Sequence, residues 1–430
     1  MKNVDIVVNK QNNRYSEKIT VLYGLYNGAR MLIGAVNVLF LLSKGVKLSE
    51  IAQLQMIYAI SVFLLEVPTG IISDVISRKL SILMSCFFLV AYYPLVYFGS
   101  PNIILLSISQ VMYGLALCLV SGAFEGWQVD IINVEHPDNL DKINYYGHLK
   151  HEMNAFVTMF SGTLGAVLVY FSAANNYAVL YLMCTIVIML IMLGFATIPS
   201  YSVKQNKMHI SRKNSFNEYI MQCKRALKCI TNKNDSIYYI LSSGLLCCTY
   251  QVVYYYWQPL FESYSQTSKG MGLFGQNTEL LVGIVFFMYC LSRYLCNRFV
   301  RKKIVGKFNP FLAAVGAMGM ASFFMLTLTN ASHSYIWISI IAFAILQGMT
   351  MVSEGVIESQ YIKVIDNDDI SSVLSFMSAL QSIVTTLVLF VISKTITSDN
   401  IKTFFEYTII LYVLIIVILL NWKRRFGGEK

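Results

Sequence analysis

The chain has 430 residues, of which 56% are hydrophobic and 13% charged, and its mean hydropathy is +0.58. A soluble domain carries about a quarter charged residues, so this composition excludes an ordinary soluble globular protein. The formal net charge of +10 leaves nucleic-acid binding open until the basic residues are placed relative to the apolar segments.

Twelve apolar segments follow one another along the chain. A helix of about 20 residues crosses the ~30 Å hydrocarbon core of a bilayer and satisfies its own backbone hydrogen bonds. The sequence therefore predicts an all-α membrane protein with twelve transmembrane helices. The predicted segments are residues 19–42, 51–72, 80–98, 103–124, 154–171 and 177–198, then 237–261, 280–295, 308–328, 335–357, 373–392 and 407–420.

The longest polar stretch divides these segments into two sets of six. It carries eight basic residues and has no apolar run. We therefore predict an N-terminal six-helix bundle over residues 1–199, a cytoplasmic basic linker over 200–236 and a C-terminal six-helix bundle over 237–430. The first 18 residues are polar, so we expect no cleavable signal peptide.

The basic residues are distributed unequally between the two sides of the predicted helices. With both termini in the cytoplasm, 26 Lys and Arg residues lie in cytoplasmic segments and five in the opposite loops. This bias predicts a multi-pass protein of the cell membrane with both termini cytoplasmic. It also explains the net charge, so we expect the lipid bilayer and not a nucleic acid as partner.

Several patterns that bind cofactors in other proteins do not have the required context here. Residues 270–275 contain a GxGxxG, but no strand precedes it, and the chain has no P-loop. His148, His151 and Glu152 are not in the order of a zinc protease, and the nine cysteines include no CxxC pair. We expect no cofactor, no metal and no enzymatic activity.

Two short patterns recur at matching places in the two halves. Gly70-x3-Asp74-x3-Arg78-Lys79 joins segments 2 and 3, and a related pattern at residues 293–302 joins segments 8 and 9. A Glu-Gly pair closes segment 4 and another lies late in segment 10. Repeated halves are typical of secondary transporters.

Residues 66–79, EVPTGIISDVISRK, resemble the loop between spans 2 and 3 of the major facilitator superfamily, G-x-x-x-D-R-x-G-R-R/K. They are more narrowly similar to a bacterial branch in which E-V/I-P-T-G precedes this loop. SGAFEGWQVD, residues 121–130, is similar to the span-4 ending of that branch. The resemblance implies the superfamily fold, with two pseudo-symmetric six-helix bundles. The loop matches at Gly70, Asp74, Arg78 and Lys79 and departs at Val75 and Ser77.

The resemblance also implies a set of contacts that closes the cytoplasmic side. Asp74 would contact the start of span 11 across the halves, and Arg78 would pair with Asp130 or Glu125 at the end of span 4. The glycine at position 70 would allow close helix approach. The simpler alternative is that Arg78 and its neighbour Lys79 only serve the charge bias.

Two ionisable side chains lie deep in the first half. Arg30 is about 16 Å along span 1 from residue 19, and Glu66 is about 12 Å along span 2 from Asp74. We predict an Arg30–Glu66 pair that later releases Glu66 for a proton or Arg30 for an anionic substrate. The alternatives are a permanent ion pair or a Glu66 near the interface. Pro68 is expected to bend span 2.

The second half contains further membrane-depth charges and an aromatic stripe. Glu354 and Glu358 share a face of span 10, and Arg293 would pair with Glu354 or extend to the interface. The stripe has helical spacing and would line a cavity or belong to an interfacial belt; aromatic neighbours on other faces favour the belt. Its members are Tyr250, Tyr254, Trp257, Gln258 and Phe261.

The combined features predict a monomeric secondary transporter that works by alternating access. Proton-coupled export of an amphipathic small molecule, such as a drug, a toxin or a peptide-like compound, is the preferred function. The Arg-x3-Gly pattern of exporter span 4 is missing, because Gln110 precedes Gly114. An uptake permease or facilitator for a small metabolite therefore remains an alternative, and a non-transporting sensor or assembly protein is a second. Scattered single charges argue against a membrane-embedded enzyme.

Overall fold

The computed structural model describes residues 15–75, 77–137, 139–172, 177–200, 234–267, 277–300, 309–330, 336–362 and 370–426, and within these ranges the side chains of some residues, among them Asp74 and 370–379, are not described. Residues 201–233 of the predicted linker and residues 270–275 lie outside this description, whereas residues 234–236 begin a helix. The described chain consists of α-helices and contains no strand.

The helices follow the predicted segments in order. In the first half they are α1 (Tyr15–Met31), α2 (Asn37–Ser43), α3 (Leu48–Val75), α4 (Arg78–Gly99), α5 (Ile103–Val120), α6 (Ala123–Glu135), α7 (Leu140–Phe171) and α8 (Ala178–Ala196). In the second half they are α9 (Asn234–Thr267), α10 (Thr278–Leu295) with a π-helical turn (Cys296–Val300), α11 (Pro310–Asn330), α12 (Ile336–Ile362), α13 (Ile370–Thr395) and α14 (Ile401–Phe426).

The prediction of an all-α membrane protein is confirmed. Among the described residues, ten helical stretches are long and apolar enough to cross a bilayer, and residues 380–395 form a shorter apolar helix. Large apolar side chains such as Phe98, Phe171 and Leu190 are exposed on the outside of the bundle, as expected for a surface that contacts lipid. The helix α3 continues through Pro68.

The first predicted span is not one helix. In a regular helix the Val38 amide would donate to the Gly34 carbonyl, but residues 32–36 form turns instead. The side chain of Gln258 on α9 pairs with both of these backbone groups. Its Nε2 donates to Gly34 O at 2.9 Å, and its Oε1 accepts from Val38 N at 3.0 Å. A side chain inserted in this way is a recognised cause of helix breaks. We call these two hydrogen bonds the Gln258 clasp.

The fourth predicted span is also divided. The helix α5 ends at Val120, and Gly122 adopts φ +70°, a left-handed conformation that glycine accepts at little cost. The chain then continues as α6, which carries Glu125 and Asp130. The division therefore places these two acids on a short separate helix.

Small residues bring the two halves together. The helix α7 packs against α10, and α3 packs against α13. A Cβ on Gly162 would lie 2.2 Å from the ring of Phe286, and a Cβ on Gly283 would lie 2.7 Å from Ala166. Such small residues allow helices to approach closely in a membrane.

Gly165 on α7 is the tightest of the described close approaches. A Cβ there would lie 1.8 Å from the backbone oxygen of Leu32, at the break of the first span. We expect Gly165→Ala to lower the free energy of unfolding by about 1–3 kcal/mol, because α7 must move away from this backbone. Gly147→Ala on the same helix is the control, since no described atom lies within 4 Å of its Cβ position. Equal melting temperatures for the two variants in detergent would contradict this packing.

Candidate functional site

A cavity of about 360 Å³ lies between the two halves. Its lining comes from α1, α2, α3, α4 and α5 of the first half and from α9, α10 and α13 of the second. Volumes of this order hold small organic ligands. A cavity shared by both halves is therefore the candidate site for a ligand.

The first-half wall of the cavity is a cluster of tyrosines. The ring centroid of Tyr113 on α5 lies 5.5 Å from that of Tyr58 on α3 and 4.8 Å from that of Tyr92 on α4. Three different helices thus contribute one ring each. Aromatic pairs at this separation are mutually stabilising and offer a planar ligand a stacking surface.

The second-half wall is also aromatic. Tyr250 and Tyr254 stack at 5.0 Å, Tyr255 meets Tyr254 edge-on at 5.0 Å, and Trp257 lies 5.8 Å from Tyr289. These side chains all line the cavity. A ligand in the cavity therefore has aromatic faces on both sides.

Arg30 is the charged residue in the described lining of the cavity. Its Nη1 donates to Asn27 Oδ1 at 2.9 Å and its Nη2 donates to the Tyr113 hydroxyl at 3.0 Å. The guanidinium also lies over the rings of Tyr26 and Tyr113, at 5.7 and 5.5 Å. Its Nε is buried and has no described hydrogen-bond partner.

Amide side chains supply most of the remaining polarity. Gln55 and Gln110 line the first-half wall, and Gln251 and Gln258 line the second. Gln251 Nε2 donates to Thr385 Oγ1 at 3.2 Å, whereas its buried Oε1 has no described partner. The cavity thus combines aromatic surface with a few directed polar groups.

The aromatic stripe predicted on span 7 faces the bundle interior and is not an interfacial belt. Four of its members, Tyr250, Tyr254, Trp257 and Gln258, line the cavity, and Phe261 is buried between other rings. Tyr255, which the helical spacing placed elsewhere, also lines the cavity.

Sequence reasoning missed the tyrosines of the first half. They lie on three helices, so no spacing within one helix indicates that they meet. The one available signal was the presence of amides, such as Gln55 and Gln110, inside apolar segments.

The predicted Arg30–Glu66 pair is wrong for this structure. Arg30 contacts Asn27 and tyrosines, and no described basic side chain lies within 4 Å of the Glu66 carboxylate. Glu66 is half-buried and follows the cavity-lining Val62 by one helical turn of α3. Glu66 therefore lies beyond the described lining, toward the C-terminal end of α3.

The acids of the predicted span 10 are not part of the described lining either. Glu354 and Glu358 are exposed on α12. Arg293 lies near enough to Tyr250 and Glu354 to interact with them electrostatically, but no ion pair within 4 Å joins it to the described Glu354 carboxylate.

The end of the bundle at which α1 begins carries Lys18, Arg78, Lys79 and Lys150, and we call it the basic end. Arg78 Nη1 lies 2.7 Å from Asp130 Oδ2. Glu125, the other predicted partner, binds Lys150 at 2.8 Å instead, because it lies more than one helical turn from Asp130 on α6.

Two further residues of the contacts predicted to close the cytoplasmic side, Lys79 and Gly70, lie at this end. Lys79 Nζ donates to the backbone oxygens of Ala196 and Ile198 at 2.8 and 2.6 Å, which stabilises the end of α8. Apart from the backbone of its own helix, no described atom lies within 4 Å of the Cβ position of Gly70, so the described residues form no close helix approach there. The Asp74 side chain lies outside the described residues.

No metal site emerges from the described side chains, because no three His, Cys, Asp or Glu residues among them lie close together. The chemistry of the cavity is therefore that of aromatic faces, amides and one guanidinium.

The Gln258 clasp leads to a stability prediction. We expect Gln258→Met to lower the free energy of unfolding by about 1–3 kcal/mol, since Gly34 O and Val38 N lose their partners in an apolar setting. Gln53→Met on α3 is the control, because this half-buried glutamine is not part of the break. Thermal unfolding in detergent measures the difference, and a Gln258→Met protein as stable as the control would contradict the clasp.

Comparison with known proteins identifies the family. The chain is 25% identical over 315 residues to the uncharacterized MFS-type transporter YxaM of Bacillus subtilis (strain 168), covering 72% of this chain and 71% of the relative. The nucleoside transporter NupG has the same fold, with 11% identity and a TM-score of 0.74 over 95% of this chain and 99% of its own. A D-xylose-proton symporter is similar at 12% identity and a TM-score of 0.66, over 94% and 97%. A sequence model of the Major Facilitator Superfamily matches residues 19–389, and the chain belongs to this superfamily of membrane transporters.

Proposed function

We propose that this protein carries an amphipathic small molecule through the cell membrane by alternating access of its two halves. The observation that supports this proposal is the central cavity, which both halves line with aromatic rings and amides. Rings bind the apolar part of such a substrate, and amides with Arg30 bind its polar part. Repeated halves around a midplane site are the architecture on which alternating access depends.

The end of the cavity opposite the basic end lies beside α2, and we call it the α2 end. Contacts between the halves close it. The Gln258 clasp joins α9 to the break of the first span, and the Tyr256 hydroxyl donates to Leu48 O at 3.5 Å. Trp257 and Phe261 are buried beside them. Opening of the cavity at this end requires the clasp to separate.

The basic end has its own cross-half contact. Arg298 of the π-helical turn lies 3.0 Å from Glu152 of α7. Both side chains are exposed, so the pair contributes little free energy and separates easily. We propose that this end is cytoplasmic, because Lys18, Arg78, Lys79 and the basic residues 423–425 lie at the ends of their helices here.

We further propose that Glu66 carries the coupling proton and that the protein works as an exporter. Among the described residues, Glu66 is a half-buried acid one helical turn from the cavity lining, with no basic side chain within 4 Å. A carboxylate without a cationic partner can exchange a proton as its surroundings change. Symport into the cell is the alternative use of the same proton.

Glu66→Gln tests this assignment, because glutamine keeps the shape and removes the proton. We expect proteoliposomes with the variant to lose pH-driven accumulation of the substrate while retaining substrate exchange at equal pH. Glu358→Gln, an exposed acid on α12, is the control and should retain both.

Accumulation by Glu66→Gln at the rate of the control would contradict the proton assignment. The direction is read from the same vesicles, since export couples proton movement opposite to that of the substrate. Substrate and proton moving together would establish the uptake alternative.

The Arg78–Asp130 pair provides a second test, of conformational change. It is partly shielded, with the side chains 36% and 19% exposed, and the Cβ position of Gly126 lies only 2.6 Å from Arg78 Cζ. We expect Arg78→Gln and Asp130→Asn each to lower the transport rate about tenfold. The double variant should be no slower than either single variant, because residues in contact are non-additive. Lys142→Gln is the control, and Arg78→Gln with an unchanged rate would overturn a gating role.

A further inference from the structure

We infer that the substrate is a small organic oxyanion, a carboxylate, sulfonate or phosphate on a planar ring, and that Arg30 binds its charge. This inference rests on the transport function proposed above and specifies the chemistry of the same cavity. It commits to an anion, whereas an amphipathic substrate in general also includes neutral compounds and cations.

The cavity carries a positive charge. Among the described residues that line it, Arg30 is positively charged and none is an aspartate or a glutamate. The described groups that contact the guanidinium are the Asn27 amide, the Tyr113 hydroxyl and the rings of Tyr26 and Tyr113, and no carboxylate is among them. A cation without a counter-ion at membrane depth is costly, so an anionic ligand is stabilised there and a cationic one is repelled.

Arg30 has unused hydrogen-bonding capacity. A guanidinium has five N–H donors, and two of them are engaged by Asn27 and Tyr113. Nε is buried without a described partner. Three N–H donors remain for a planar oxyanion, which a guanidinium can bind through two parallel hydrogen bonds, while the contacts with Asn27 and Tyr113 hold its orientation.

The aromatic walls of the cavity suit a planar ring on the substrate. Tyr58, Tyr92 and Tyr113 form one wall, and Tyr250 with Tyr254 forms part of the other. Both walls line the same cavity, and Arg30 belongs to that lining as well. A planar ring therefore stacks between the walls while its anionic group reaches Arg30.

The second-half wall also offers an acceptor. Gln251 on α9 has a buried Oε1 without a described partner, and its Nε2 is held by Thr385. The free oxygen accepts a hydrogen bond, so it selects a hydroxyl or N–H group on the substrate. The inferred ligand is a planar-ring oxyanion that also carries a hydrogen-bond donor for the Gln251 oxygen.

The test uses a matched series of two-ring compounds with the full-length protein in detergent. 6-Hydroxy-2-naphthoate carries the anion and the donor, its carboxamide is neutral, the corresponding methylammonium compound is cationic, and 2-naphthoate has no hydroxyl. Titration calorimetry gives Kd, and thermal unfolding checks each variant. We expect 6-hydroxy-2-naphthoate to bind tightest and the ammonium compound weakest.

The variants assign the charge and the donor. Arg30→Gln should weaken 6-hydroxy-2-naphthoate roughly 10- to 100-fold and leave the carboxamide unchanged, because only the charged hydrogen bonds are lost. Arg30→Lys, which keeps the charge but not the fork, should give an intermediate Kd. Arg424→Gln, an exposed arginine at the end of α14, is the matched control. Gln251→Leu should weaken the hydroxyl compound about threefold or more and leave 2-naphthoate unchanged.

Equal binding of the anion, the amide and the ammonium compound would overturn the inference. So would the absence of naphthoate binding, or unchanged binding in a folded Arg30→Gln protein. Transport is measured separately in proteoliposomes. Arg30-dependent binding without transport would refute the proposed function alone, whereas transport of the amide at the rate of the anion would refute the anion selectivity alone.

Discussion

The Gln258 clasp is the interaction on which the arrangement of the site depends. Backbone groups in an apolar medium must be paired within the protein, so a helix can break there only where other groups replace its hydrogen bonds. The amide of Gln258 does so by taking the place of the Gly34–Val38 bond, and it joins the two halves at the same time. When the halves separate at this end, Gly34 and Val38 can pair with each other as in a regular helix. Under the proposed mechanism the break would have two discrete arrangements, which a conformational transition requires.

The cavity beside the clasp has an unusual electrostatic character for its depth. It is built from aromatic rings and amides around one guanidinium, and its described lining contains no acid. Arg30 is held by Asn27 and by tyrosine rings, which stabilise a cation without neutralising it. In this account the missing negative charge is supplied by the substrate, and the proton is carried separately by Glu66, outside the described lining. This separation would let substrate and proton bind independently and couple through the conformational change.

Much of the fold could be predicted from the sequence, because hydropathy over about 20 residues reports directly on membrane helices. The resemblance to the family implies Asp130 or Glu125 as the partner of Arg78, and in the structure the partner is Asp130. The site was harder to predict. Helical spacing groups Tyr250, Tyr254, Trp257 and Gln258 on one face but does not say whether that face meets lipid or a cavity. The pairing of Arg30 with Glu66 was wrong because depth along two helices does not fix which way the side chains point, and the tyrosine wall arises only from packing of three helices.

The central claim is that the two halves rock about the cavity, closing one end as the other opens. The most direct measurement is the distance between spin labels across each end, from electron-spin resonance on the protein in lipid nanodiscs. Exposed positions serve as label sites: Lys44 and Ser398 at the α2 end, and Asp141 and Arg424 at the basic end. The account predicts that addition of 6-hydroxy-2-naphthoate, or a change of pH, lengthens one distance distribution and shortens the other. Distances that stay fixed under all conditions, or that lengthen together at both ends, would contradict it.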